Sequence, residues 1–141
     1  MSGEVPFHLA IPVHDLAEAR AFYGTLLGCE EGRSAERWVD FDLFGHQMSA
    51  HFRPDTAQPP ASGQVDGHTV PIPHFGVVLE MDDWKTLRDR LQARDDIDWV
   101  MKPKFRFEGQ PGEQATLFIR DPSGNALEFK GFADLSQVFA S

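Results

Sequence analysis

The feature that most constrains this chain is an internal repeat. Residues 7–13 read FHLAIPV and residues 73–80 read PHFGVVLE. Each is a short apolar run with β-branched residues, as in a strand, and each has a histidine near its start. His8 and His74 stand 66 positions apart. After the first run, Asp15 is placed to cap a helix. Leu16, Ala19, Phe22, Tyr23, Leu26 and Leu27 then recur at helical spacing, and Gly28 is a natural stop. After the second run, Asp82 or Asp83 is placed to cap a helix carrying Trp84, Leu87 and Leu91.

Each helix is followed by a run of strands. In ERWVDFDLF (36–44), Val39, Phe41 and Leu43 alternate with Asp40 and Asp42, as in a half-buried strand. Residues 46–53 read as the return strand of a hairpin. In the second half, 97–102, 115–120 and 126–130 read as strands, 104–107 leads into a Gly-Pro turn region, EGQPGE, DPSGN joins the last two strands, and 134–139 suggests a short terminal helix. Residues 54–73 are rich in Pro, Gly, Ser, Asp and Gln and read as a loop. The expected fold class is α+β. Two βαβββ modules, 1–53 and 74–141, are joined by the loop 54–73 into one domain, with curved mixed sheets around a metal-binding cleft.

Charge narrows the partners. With 13 basic and 22 acidic residues the net charge is −9. Such a surface repels phosphate backbones, so nucleic acid is not expected; a small molecule, a metal or a second copy is. Neither G-x-x-x-x-G-K nor G-x-G-x-x-G occurs. No apolar run approaches the roughly 18 residues of a membrane span, and MSGEVPFHLA lacks the pattern of a signal peptide. With a single cysteine, Cys29, the expectation is a cytoplasmic protein without a membrane partner. Cys29 reads as a buried structural thiol.

Strand periodicity groups the polar candidates. His8, Ala10 and Pro12 share one face, His74 shares one with Gly76, Val78 and Glu80, and Glu128 points with Ala126 and Lys130. Small neighbours leave room in a cleft. Two imidazoles and a carboxylate form a set that suits Fe(II), Mn(II) or Zn(II) with open positions. The alternative is a pair of strand-end histidines bonded to backbone and a solvated glutamate. In HQMSAHFR, Gln47, Ser49 and His51 share a face. His51 reads as the counterpart of Glu128, as a fourth ligand or an acid/base. His46 at a turn, His14 before the cap and His68 in the loop read as structural or solvated. Lys104 and Arg106 stand where an anionic substrate would be received, or are solvated loop charges.

HLAIPVHDLAEARAFYGTLLGC, HFGVVLEMDDW and FIRDPSGNALEFKGF resemble the vicinal oxygen chelate superfamily, which includes glyoxalase I, fosfomycin-resistance transferases, bleomycin-resistance proteins and extradiol dioxygenases. FY-x-x-LLG and DP-x-GN-x-LE carry the resemblance. It implies paired βαβββ modules, His8, His74 and Glu128 as metal ligands, and a substrate that chelates through adjacent oxygens. It also implies a homodimer, in some members with sites built from both chains. The 2-His-1-Glu set is similar to that of the Fe(II) extradiol dioxygenases, which makes an oxygenase of a catechol-like substrate the leading expectation. A glyoxalase-type lyase or isomerase using Ni(II) or Zn(II) is the second. A non-catalytic protein that binds an aromatic drug, using residues such as Trp38, Phe41, Trp84, Trp99, Phe105 and Phe107, is the third. Tyr23 reads as core, which leaves no tyrosine beside a substrate.

Overall fold

The computed structural model describes residues 5–55, 61–65 and 68–140. The chain divides into two compact units. The first holds 1–58 with 121–125, and the second 59–120 with 126–141.

The first unit contains β1 (His8–Val13), α1 (Leu16–Ala19) with a π-helical continuation over Arg20–Leu26, β2 (Glu30–Ala35), β3 (Trp38–Leu43) and β4 (His46–Phe52). The Asp15 carboxylate accepts from the Glu18 N–H, satisfying one of the free donors of the first turn. Gly28, at φ 78°, ends the helical segment in a conformation that favours glycine. The sheet order is β1-β4-β3-β2, with β1 parallel to β4 and the other pairs antiparallel. One sheet face is apolar, and Val13, Val39, Phe41, Met48 and Ala50 are buried with Tyr23 and Leu26 of the helix. Tyr23 is core, as expected, and its ring lies 5.5 Å from that of Phe41.

The DPSGN turn belongs to this unit although its flanking strands do not. Asp121 accepts from the Tyr23 hydroxyl at 2.7 Å and from the backbone N–H groups of Ser123 and Asn125. Asn125 donates to the Pro12 carbonyl, and Ser123 Oγ accepts from the His14 N–H.

The second unit contains β5 (Ala61–Val65), β6 (His68–Ile72), β7 (Phe75–Glu80), α2 (Met81–Gln92), β8 (Asp98–Arg106), β9 (Gln114–Arg120), β10 (Ala126–Phe132) and a 3-10 turn at Leu135–Gln137. Its main sheet runs β7-β10-β9-β8, the order of the first with β7 again parallel to β10. Trp84 of α2 is fully buried and donates from Nε1 to the Phe129 carbonyl. Gly131 passes beneath it, where a Cβ would lie 2.7 Å from the Trp84 side chain.

The elements differ from those expected at four points. Residues 54–73 contain a two-stranded sheet, β5-β6, whose antiparallel pairing orders a segment that its Pro, Gly, Ser, Asp and Gln content marks as a loop. β2 forms although all its residues are exposed and show no alternation. The strand expected over 97–102 continues through 104–106 as β8, with register irregularities on either side of Met101. Pro103 is accommodated because β8 is an edge. Neither Asp82 nor Asp83 caps α2. Glu80 occupies the cap position without a side-chain bond, and the two aspartates sit in the first turn, where the helix dipole favours negative charge. No helix of the described residues is long and apolar enough to cross a membrane.

Candidate metal centre

His74 immediately precedes β7, and Glu128 lies in β10, where it pairs with Gly76. This pairing brings the two side chains together, with His74 Nε2 3.4 Å from Glu128 Oε1. The approach depends on Gly76, since a Cβ there would fall 1.6 Å from the Glu128 carbonyl oxygen.

The outer atoms of both side chains are occupied. His74 Nδ1 lies 2.7 Å from the Pro71 carbonyl oxygen. A carbonyl only accepts, so Nδ1 carries the proton. Thr116 Oγ1 donates to Glu128 Oε2 at 2.6 Å. The Phe118 ring meets the imidazole edge to face, with centroids 4.6 Å apart. In the neutral imidazole, Nε2 therefore turns a lone pair toward a carboxylate oxygen. Two acceptors at that distance need a cation or a proton between them. Two donors each about 2.1 Å from one ion would stand about 3.0–3.4 Å apart. The pair fits a divalent metal, and its supporting bonds are those that metal-binding side chains use to hold their orientation.

His8 lies on β1 in the first unit and is exposed. Its Nδ1 is 2.8 Å from Gln47 Oε1 on the paired strand. It is thus presented as His74 is, by its outer nitrogen. Among the described residues, no three His, Cys, Asp or Glu side chains form a group that could hold a metal.

The register corrects the counterpart of Glu128. Gly76 is two residues after His74 and pairs with Glu128, while Ala10 is two residues after His8 and pairs with Ser49. Ser49, not His51, occupies the equivalent place. It is buried and donates to Asp40. His51 shares the same sheet face but pairs with Pro12, four residues along β4 from Gln47, or about 13 Å at strand rise. The local composition of HQMSAHFR favoured the only histidine on the right face near the strand end; the pairing register was the missing signal.

Arg106 lines a small pocket with Glu128, Thr116, Gln114 and Lys130, floored by Val70, Met101 and Phe118. Lys104 pairs with Thr116 and so shares that face. Lys130, one alternate position beyond Glu128, is a neighbour that strand reasoning placed on the face without assigning it a role. His46 is exposed, its Nδ1 accepting from the Phe7 N–H, and His14 is exposed beside Glu18 at 3.1 Å. The side chain of His68 lies outside the described residues.

Paired sheets of one order, a histidine before or at the start of each first strand, and a glutamate in the last strand define the class. Residues 6–129 match the model of the Glyoxalase/Bleomycin resistance protein/Dioxygenase superfamily, and the chain belongs to that superfamily. A glyoxalase/bleomycin resistance protein/dioxygenase from Alicyclobacillus acidocaldarius is 33% identical, with a TM-score of 0.78 over 99% of this chain and 100% of that one. The fold is shared with the genomically encoded fosfomycin resistance protein FosX from Listeria monocytogenes, at 18% identity and a TM-score of 0.67 over 93% of each chain. It is shared also with a glyoxalase/dioxygenase from Nostoc punctiforme, at 16% identity and a TM-score of 0.68 over 94% of each. A comparison with curated proteins gave no match.

Proposed function

We propose that the protein is a metal-dependent enzyme, an Fe(II) oxygenase of extradiol type whose catechol-like substrate chelates through adjacent oxygens. The observation that carries this reading is the His74–Glu128 pair, with its outer atoms held by Pro71 and Thr116 and its inner atoms facing each other. His8, presented in the same way, is the third ligand of the proposal. A bound divalent metal supplies Lewis acidity and a common anchor for the reactants.

The chain's own residues then have distinct tasks. His74 and His8 present Nε2, and Glu128 presents Oε1. Ser49, at the place equivalent to Glu128, adds no carboxylate, which leaves three protein ligands and open positions for a chelating substrate. Arg106 and Lys104 hold an anionic group of the substrate. His51, further along the face of His8, is the acid/base of the proposal. Dioxygen uptake with a panel of catechols, after anaerobic loading with Fe(II), tests this. Turnover without dioxygen sinks the oxygenase reading, and His51→Ala should lower kcat at unchanged metal content.

A second reading is favoured by Arg106 and Lys130 beside Glu128 and by the fold shared with FosX: resistance to fosfomycin. A raised inhibitory concentration of that antibiotic in cells producing the protein would select it.

The proposal also includes a homodimer. Co-producing His8→Ala and His74→Ala chains decides where each site is built. Metal binding restored to about one site per purified heterodimer, or about one per four chains in the unsorted mixture, places His8 and His74 of one site on different chains, and no restoration places them on one.

A further inference from the structure

We infer that Asp40 and Gln47 form a relay that fixes the tautomer of His8, making Gln47 the positioning residue of that ligand. The inference rests on the metal-site reading above. Asp40 is a buried carboxylate, 8% exposed, on the sheet face that carries His8. It accepts from the Ser49 hydroxyl and from Gln47 Nε2, the latter at 3.4 Å. A carboxylate offers only acceptors, so the amide must turn its NH2 toward Asp40 and its oxygen the other way. That oxygen, Oε1, is 2.8 Å from His8 Nδ1. It accepts, so Nδ1 must donate, and Nε2 is left with its lone pair outward. The direction of every bond in the series follows from the one group that has no proton to give.

The two histidines thus reach the same tautomer by different means. At His74 a backbone carbonyl does the work, and no side-chain substitution removes it. At His8 a side chain does, held by a second side chain, so of the two histidines this one owes its tautomer to side chains. Gln47 and Asp40 sit on diagonal positions of neighbouring strands, within reach of a long side chain.

The first readout needs no metal and no activity. Nitrogen–proton correlation spectra of the metal-free protein report which imidazole nitrogen of His8 carries the proton. The wild type should show Nδ1–H. Gln47→Ala and Asp40→Asn should each give a mixture of tautomers. Asp40→Asn combined with Gln47→Glu should restore Nδ1–H, because the glutamate then accepts from both neighbours. Nε2–H in the wild type, or Nδ1–H unchanged in both single variants, overturns the relay.

Zinc affinity is the second readout, taken on variants whose circular dichroism and thermal midpoint match the wild type. Gln47→Ala should weaken binding about 10- to 100-fold. Unchanged affinity in Gln47→Ala with a loss in His8→Ala overturns the relay and leaves the metal site standing. Unchanged affinity in His8→Ala overturns the metal role of His8, while the tautomer spectra still decide the relay.

Discussion

Cys29 shows how far a single residue could be read in advance. Its place after LLG suggested a buried structural thiol, and it is 7% exposed. Burial, followed by the negative charge of Asp42, pushes the thiol up to about 11 from 9.0. At pH 8 only about one thiol in a thousand is then thiolate. Ellman's reagent at that pH should leave native protein unlabelled and label one thiol per chain in denaturant; stoichiometric labelling of the native state would contradict the burial. The sign for stability follows. The unfolded thiol loses its proton first, so this group's contribution falls as pH rises from about 9 through 11. Asp121 was legible only as a turn residue. Its burial raises its carboxyl above the usual range, against the opposing effect of the donors around it, Tyr23 first. Nothing local in DPSGN reveals that partner, which lies 98 residues away.

Elements were legible where their pattern was strong. The helix cap at Asp15, the stop at Gly28 and the apolar alternation of β3 are local events, and the sequence displays them. β2 lacks that pattern, since all its residues are exposed, and β6 buries Val70 within a stretch that reads as a loop. Ser49 was missed because register is not written in any one strand: a displacement of two residues keeps the face and changes the partner. The same register gives β7 its sharpest test. Gly76→Ala must push β7 from β10 at Glu128, whereas its counterpart Ala10 already carries a Cβ. We expect Gly76→Ala to lose about 1–3 kcal/mol in urea unfolding, the usual cost of overpacking, and to weaken metal binding more than Ala10→Ser does. Equal stability and affinity in Gly76→Ala would mean that the strands can separate without disturbing the site.

At the scale of the whole molecule, the repeat pointed to two modules of one kind, and the structure adds that their sheets share one strand order. The halves are not equivalent in chemistry. The second brings a histidine and a glutamate into direct apposition; the first offers a histidine on a side-chain relay and puts a serine where the carboxylate would be. The most direct test is metal content by elemental analysis of untagged protein, purified without chelators and loaded anaerobically with Fe(II), beside His74→Ala and Glu128→Gln. The account predicts about one metal per chain in the wild type and a loss of most of it in both variants. Wild-type protein that takes up no metal, or variants that hold it as well, would contradict the centre on which the proposed chemistry rests.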